Sequence, residues 1–300
     1  MFGKRRGAGR RVVLVALAAV AAVAGAYAAL SSHGSQQPRT TAVASVPTPP
    51  APTRKPKPPK AHPLPKETGE RLRLIRQGFP FYCGRATVRE VAITFDDGPS
   101  RVSGAILTLL RHAHAPATFF QIGVNAARRP KLARAEATAG EVGNHTLDHK
   151  DLAHLSAAAI RREIARGERA VAIAAGSRPF LFRPPYDVTD PLADRLVRRA
   201  GLLQVLWSVD SRDWENGNPR TIRQRVNSEL GPGGIILLHE QADHTISTLR
   251  WLLVDLKRRH LRPVTVSRLL VDAPPTTAQL KADRRGRTCV EFPYHGTALR

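Results

Sequence analysis

The stretch Val91-Ala92-Ile93-Thr94-Phe95-Asp96-Asp97-Gly98 begins as a short apolar run and ends on two carboxylates and a glycine, with Pro99 next. A run of this length bounded by Gly-Pro reads as a buried strand leaving through a turn. Two adjacent carboxylates repel each other unless a cation or a donor separates their roles. A strand-to-turn exit lets both face one cavity. An Asp-Gly turn by itself is commonplace, so the weight of the reading rests on residues further along the chain.

Outward from this stretch, short apolar runs alternate with helical segments. Strands are expected at residues 91–95, 117–122, 141–146, 180–182, 202–209, 235–238 and 263–266. Helices are expected at 105–111, 126–139, 157–175 (with Ser156 as its cap), 191–200 (ended by Gly201), 219–230, 245–259 and 267–271. Seven β-α units of this kind imply a parallel sheet. The pattern does not distinguish a closed barrel from an open doubly wound sheet. Both build their sites at the C-terminal ends of the strands. Four further clusters fall there: His145-Thr146-Leu147-Asp148-His149, Arg183-Pro184-Pro185-Tyr186, Asp210-Ser211-Arg212-Asp213-Trp214 and Leu237-Leu238-His239.

These clusters carry complementary chemistry. His145 and His149 stand four apart, so one helical turn would turn both imidazoles toward a single metal. The glutamate that follows the first histidine of a zincin helix is absent. Arg183 can hold a carboxylate ionised, and Pro184-Pro185 stiffens the loop after it. A carboxylate such as Asp213 beside His239 would raise the imidazole pKa and keep it protonated, as a general acid requires.

On these five motifs, in this order, the chain resembles the polysaccharide deacetylases, the family with the NodB homology domain, which remove acetyl groups from N-acetylglucosamine polymers or from xylan. The resemblance implies an α/β fold, a distorted (β/α)7 barrel spanning about residues 88–272. It assigns a divalent ion, with Zn²⁺ expected, to Asp97, His145 and His149, and the general base to Asp96. It pairs Arg183 with Asp96, aims the Tyr186 backbone N–H at the developing oxyanion, and makes His239 the general acid, hydrogen-bonded by Asp213. Trp214 and Leu237 would line the slot for the acetyl methyl group. The implied partner is an acetylated polysaccharide: peptidoglycan, chitin oligomer or xylan, with N-acetylglucosamine units preferred. An acetylxylan esterase on the same site is one alternative, and a non-catalytic wall-binding protein on the same fold another. Two histidines and a carboxylate also form the facial triad of non-haem iron oxygenases, but the His-x-Asp pairing and jelly-roll alternation of those enzymes are missing.

Three hundred residues, 42% of them hydrophobic, allow one domain of about 200 residues plus appendages. The net charge of +23 is unevenly placed: residues 1–66 hold eleven Lys or Arg and no acid, the remainder 36 basic and 24 acidic residues. Arginine-rich composition accounts for such a surplus, as does attraction to an anionic polymer or membrane surface. Neither zinc-finger spacing nor a basic helix with interleaved aromatics occurs, so nucleic acid is not an expected partner. Residues 4–11 form a basic n-region, and residues 12–30 are uncharged and mostly apolar. That pattern is a signal peptide or a signal anchor, and either exports the chain beyond it. The catalytic domain is thus expected outside the cell, secreted or held on the outer face of the cytoplasmic membrane. Residues 31–66 read as an extended Pro-rich basic linker, and residues 67–300 as the catalytic domain. Cys83 and Cys289 are the two cysteines and bracket the motifs. In an oxidising compartment they are expected to form a disulfide. Residues 273–300 receive no assignment.

Overall fold

The computed structural model describes residues 65–187, 190–215 and 218–286. The n-region, the apolar segment, most of the linker and Cys289 lie outside the described residues. Among those described, no helix is long and apolar enough to cross a membrane.

Eight strands form one parallel sheet: β1 (Glu90–Gly98), β2 (Thr118–Gln121), β3 (Glu141–Asn144), β4 (Leu181–Phe182), β5 (Leu203–Gln204), β6 (Val209–Asp210), β7 (Ile235–His239) and β8 (Arg262–Val264). Their order is β5-β4-β3-β2-β1-β7-β6, with β8 pairing the start of β1. The sheet curls, and residues 79–84 reach across it: Phe81 bridges to Val205 just after the end strand β5, and Cys83 to Gly234 just before β7 on the other side. The result is the curled, barrel-like arrangement expected for the NodB type.

Side-chain alternation along β1 builds the site. Val91, Ile93 and Phe95 pack outward into a layer with Ile106 and Leu110 of α2 (Ser103–His112) and Leu249, Leu252 and Leu256 of α8 (Thr245–Arg258). Ala92 faces the interior with Phe120, Leu181, Val205 and Ile235. Period-2 alternation then puts Thr94 and Asp96 on that interior side. The same rule on β7 sends Ile236 and Leu238 outward, leaving Ile235, Leu237 and His239 inside. The interior is therefore apolar low in the sheet and polar at the C-terminal ends. Its lower end is stoppered by Leu74 of α1 (Pro65–Gln77) and by Val266, Leu269 and Leu270 of α9 (Val266–Asp272). Phe120 is wholly buried there; truncating such a side chain to Ala costs about 3–5 kcal/mol.

Helices α5 (Ala157–Ala175), α6 (Pro191–Arg199) and α7 (Pro219–Glu229) match their expected spans to within a residue, and the Ser156 side chain caps α5. The expected helix over 126–139 is instead two, α3 (Gly123–Arg128) and α4 (Pro130–Ala139). Pro130 forces the break: Arg129 before it takes φ −130°, ψ 57°. The single strand expected over 202–209 is also two, β5 and β6. Between them the chain leaves the sheet: Leu206 N–H donates to Phe81 O, and Arg183 takes the carbonyls of Val205 and Leu206. Helix α1 begins at Pro65, inside the stretch read as linker, and α10 (Thr277–Gly286) occupies part of the tail that carried no assignment.

Candidate active site

The Asp97, His145 and His149 side chains converge, with ligating atoms all within 4.8 Å of one another. Asp97 Oδ1 lies 3.2 Å from His149 Nε2 and 3.6 Å from His145 Nε2. His145 Nδ1–H donates to the Arg183 carbonyl at 2.8 Å, which leaves Nε2 as an acceptor aimed at the cluster. Asp97 Oδ1 is buried and has no hydrogen-bond partner. Burial and the neighbouring His145 hold the His149 imidazole below its ordinary pKa, so it is neutral. Acceptors facing one another around an orphaned carboxylate oxygen form a donor set suited to a divalent cation.

No helical turn brings the two histidines together. Residues 145–151 are a loop in which Thr146 and His149 have φ of 65° and 64°. Two left-handed residues fold the loop back, and the buried Glu163 of α5 holds it there. Its Oε2 accepts from the N–H groups of Leu147 (3.2 Å) and Asp148 (3.3 Å), and its Oε1 pairs with Lys150. Helix α5 comes this close because residue 167 is glycine: a Cβ there would stand 2.5 Å from the Thr146 carbonyl carbon.

Asp96 and Asp97 diverge because Asp97 takes φ 70°. Asp97 joins the histidines, whereas Asp96 is buried against Arg183. Arg183 Nη1 donates to Asp96 Oδ1 at 2.7 Å and to Thr94 Oγ1 at 2.8 Å, and its guanidinium lies 4.1 Å from the Phe120 ring centroid. Asp96 Oδ2 remains free and lies 3.8 Å from His145 Nε2. The β1–β7 register places Asp96 directly beside His239. The buried Asp213 carboxylate accepts from His239 Nδ1–H at 2.8 Å and His239 N–H at 3.0 Å. Burial depresses the His239 pKa, but the hydrogen bond and charge of Asp213, with Asp96 and Asp97, outweigh it and push the imidazole up to about 9. Thr245 Oγ, 2.8 Å from Asp213 Oδ2, completes this corner.

Tyr186 is exposed, adopts φ 58°, and sets its ring edge-on to His149 with centroids 4.7 Å apart. Trp214 is exposed at the rim, and Leu237 is buried one alternation below His239. All of these expected site residues therefore gather at the C-terminal edge of the sheet. Cys83 is buried and among the described residues no cysteine is a free thiol; Cys289 falls outside them.

Sequence reasoning missed a layer behind the site. Glu240 and Glu136 are buried behind the Asp97-Gly98-Pro99 turn. Glu240 accepts from Ser100 N–H at 3.2 Å and from the Ser103 hydroxyl, and Glu136 from Gln121 Nε2–H at 2.7 Å. A Cβ on Gly98 would meet Glu240 Oε1 at 2.0 Å. Asn125 and Gln241 both donate side-chain N–H to the Asp97 carbonyl. One signal was available: Glu163 lies on the apolar stripe of α5 with Ile160, Ile164 and Gly167, where an acid needs a partner.

The family model for polysaccharide deacetylases matches residues 84–205. A peptidoglycan-N-acetylglucosamine deacetylase of Bacillus cereus is 36% identical over 187 residues, which are 60% of this chain and 87% of that protein. The chain belongs to the polysaccharide deacetylase family. A second relative, the Listeria monocytogenes enzyme of the same description, is 32% identical over 61% of this deacetylase, which spans only 39% of that protein. Among solved structures, a peptidoglycan N-acetylglucosamine deacetylase in complex with 4-naphthalen-1-yl-N-oxidanyl-benzamide matches with TM-score 0.62 and 30% identity. It covers 65% of this chain and 95% of that one. Members of the family depend on a metal, and the convergent Asp97, His145 and His149 supply a place for it here.

Proposed function

We propose that this polysaccharide deacetylase hydrolyses the acetamide of N-acetylglucosamine units in peptidoglycan or a chitin-like polymer. The observation that carries the proposal is the side-by-side placement of Asp96 and His239 over the Asp97–His145–His149 cluster. One carboxylate is held in place by a buried arginine, and one imidazole is held protonated by a buried aspartate.

Asp97, His145 and His149 would hold a divalent ion, for which the nitrogen–oxygen donor set suits Zn²⁺. Bound there, the ion supplies Lewis acidity, lowering the pKa of water and polarising a carbonyl. Asp96 takes the proton of the attacking water through its free Oδ2. Arg183 keeps Asp96 oriented while donating to Thr94, so the base does not swing. The Tyr186 N–H, fixed by Pro184 and Pro185, donates to the oxygen that gains charge when the acetyl carbon becomes tetrahedral. His239 then passes its proton to the departing nitrogen. An amine leaves far more readily protonated, so an imidazole held charged up to about pH 9 suits amide substrates. Trp214 and Leu237 flank the position of the acetyl methyl group. Acetate and a free glucosamine unit are the products.

The test is acetate release from peptidoglycan, chitin oligomer and acetylated xylan, each with chelator and after metal is restored. Release from the N-acetylglucosamine polymers, lost with chelator and regained with metal, is expected. Release from xylan alone would identify an ester hydrolase, and release from none a wall-binding protein. The same reading puts the enzyme outside the cytoplasmic membrane, exported through residues 1–30, with Cys83 bonded to Cys289; fractionation of tagged protein checks the first point.

A further inference from the structure

We propose that the outer face of α4, α5 and α6 is a docking surface for a linear phosphodiester polymer that carries no bases. The three helices lie side by side over strands β2 to β5. Arg134 on α4, Arg162, Arg166 and Arg169 on α5, and Arg195 and Arg199 on α6 are all exposed. On α5 the three arginines follow the i, i+4, i+7 spacing, opposite the stripe of Ile160, Ile164 and Val171 that packs inward.

The acids of these helices are withdrawn from that face. Glu136 and Glu163 are buried behind and beside the active-site loops, Glu168 is paired with Arg178, and Asp194 is half-buried and engaged. Like charges three or four residues apart destabilise a helix, so each of these ladders works against the fold that carries it. The α7–α8 side differs: there Arg223 is matched by Asp255, and Arg225 by Glu215. Composition alone would spread cations without removing the acids from one face.

The chemistry of the face selects the partner. Its exposed cations are almost all arginine, whose planar fork binds the paired oxygens of a phosphate, as of a carboxylate, and at the diester spacing of such a polymer the i, i+4, i+7 ladder offers successive forks to successive phosphates. Helices α4, α5 and α6 contain no aromatic residue, so nothing there stacks on bases. Their one exposed large apolar side chain is Ile173, so no apolar face enters a bilayer. Helices α5 and α6 follow the His145–His149 loop and the Arg183–Tyr186 loop in the chain, so the N-terminal end of the charged face is the end on the active-site side of the sheet. The inference is independent of the chemistry assigned to the active site.

Binding of fluorescent poly(glycerol phosphate) to the full-length chain, measured against salt, tests it. The triple variant Arg162→Gln/Arg166→Gln/Arg169→Gln is compared with Arg111→Gln/Arg220→Gln/Arg250→Gln, which removes the same charge from other faces. The α5 variant should bind at least about tenfold more weakly at moderate salt, with a log–log salt slope shallower by about two to three. The control should change much less. Deacetylation of a short neutral chitin oligomer should be unchanged in both, which shows that each is folded. Should the triple variant lose that rate, Arg195→Gln/Arg199→Gln reads the same face. Equal losses in both sets, tighter binding of single-stranded DNA of matched charge, or binding to phosphatidylglycerol vesicles alone would overturn the proposal.

Discussion

Asp213 receives two hydrogen bonds from His239, one from the imidazole Nδ1–H at 2.8 Å and one from the backbone N–H at 3.0 Å. The pair therefore fixes both where the ring sits and which nitrogen faces the site. In Asp213→Asn the charge is gone, and the imidazole should fall from about 9 toward its ordinary 6.5. The alkaline limb of the pH–rate profile should move acidward, with at least about a hundredfold loss of rate above pH 8, the scale of general acid catalysis. An unmoved alkaline limb would show that His239 is not the acid.

Ligand and base are separable although adjacent. His149→Ala should lose bound metal and activity together, since three protein ligands are the minimum such sites keep. Asp96→Asn should retain its metal, because Asp96 is held by Arg183 rather than by the cluster, yet lose about 10²–10⁴ in rate. Metal content by elemental analysis beside acetate release checks both. A fully active Asp96→Asn refutes the assignment of the base.

Gly98→Ala is a test of the layer behind the site. Its Cβ would overlap Glu240 Oε1 at 2.0 Å, and Glu240 is locked by Ser100 and Ser103. Overpacking of this kind costs about 1–3 kcal/mol. Because the strain falls beside Asp97, metal affinity should drop as well. Unchanged melting temperature and unchanged metal affinity would mean the turn yields freely.

Glu240 also predicts a pH signature. Burial pushes its carboxyl from the ordinary 4.5 up to about 7, and burial raises Glu136 too. The folded state thus binds more protons than the unfolded chain between those values. Its contribution to stability is complete below 4.5 and is lost as pH rises through about 7. Metal-free enzyme should melt lower at neutral than at mildly acidic pH, and Glu240→Gln should flatten that slope. A variant with the wild-type slope would assign the effect elsewhere.

The disulfide has its own check. Cys83 and Cys289 enclose roughly 200 residues, for which the chain-entropy account gives about 5 kcal/mol as an upper value. Non-reduced, denatured protein should show no free thiol, and Cys83→Ser should lower the melting temperature while sparing turnover of folded enzyme. Two titratable thiols in the wild type rule out the bond.

Much of this was legible in one dimension. Strand exits follow from apolar runs that stop at chemistry-bearing residues, and alternation from Ala92 through Thr94 to Asp96 dictates which carboxylate faces inward. The capped helix at Ala157–Ala175 needed only its period, Ser156 and Gly176. The five motifs named the candidate metal ligands, the Asp96–Arg183 and His239–Asp213 pairs and the rim residues, because each sits where its own strand ends; Glu163, Thr245, Asn125 and Gln241, which brace them, lie outside the motifs. The features beyond the reach of sequence were set by contacts between distant segments. The strand expected over 202–209 breaks because Arg183 and Phe81 compete for its backbone groups. His145 and His149 meet through two left-handed residues, Thr146 and His149, with Glu163 clamping Leu147 and Asp148 between them, where a local reading of i, i+4 spacing suggested a helix. Glu136 and Glu240 are 104 positions apart, and only the packing of α4 against α2, whose first residue Ser103 meets both, buries them together. Periodicity reports local backbone and which face is apolar; the protonation of His239, the bracing of Asp97 and the acid-free face of α4, α5 and α6 depend on which elements pack together, and that is decided in three dimensions.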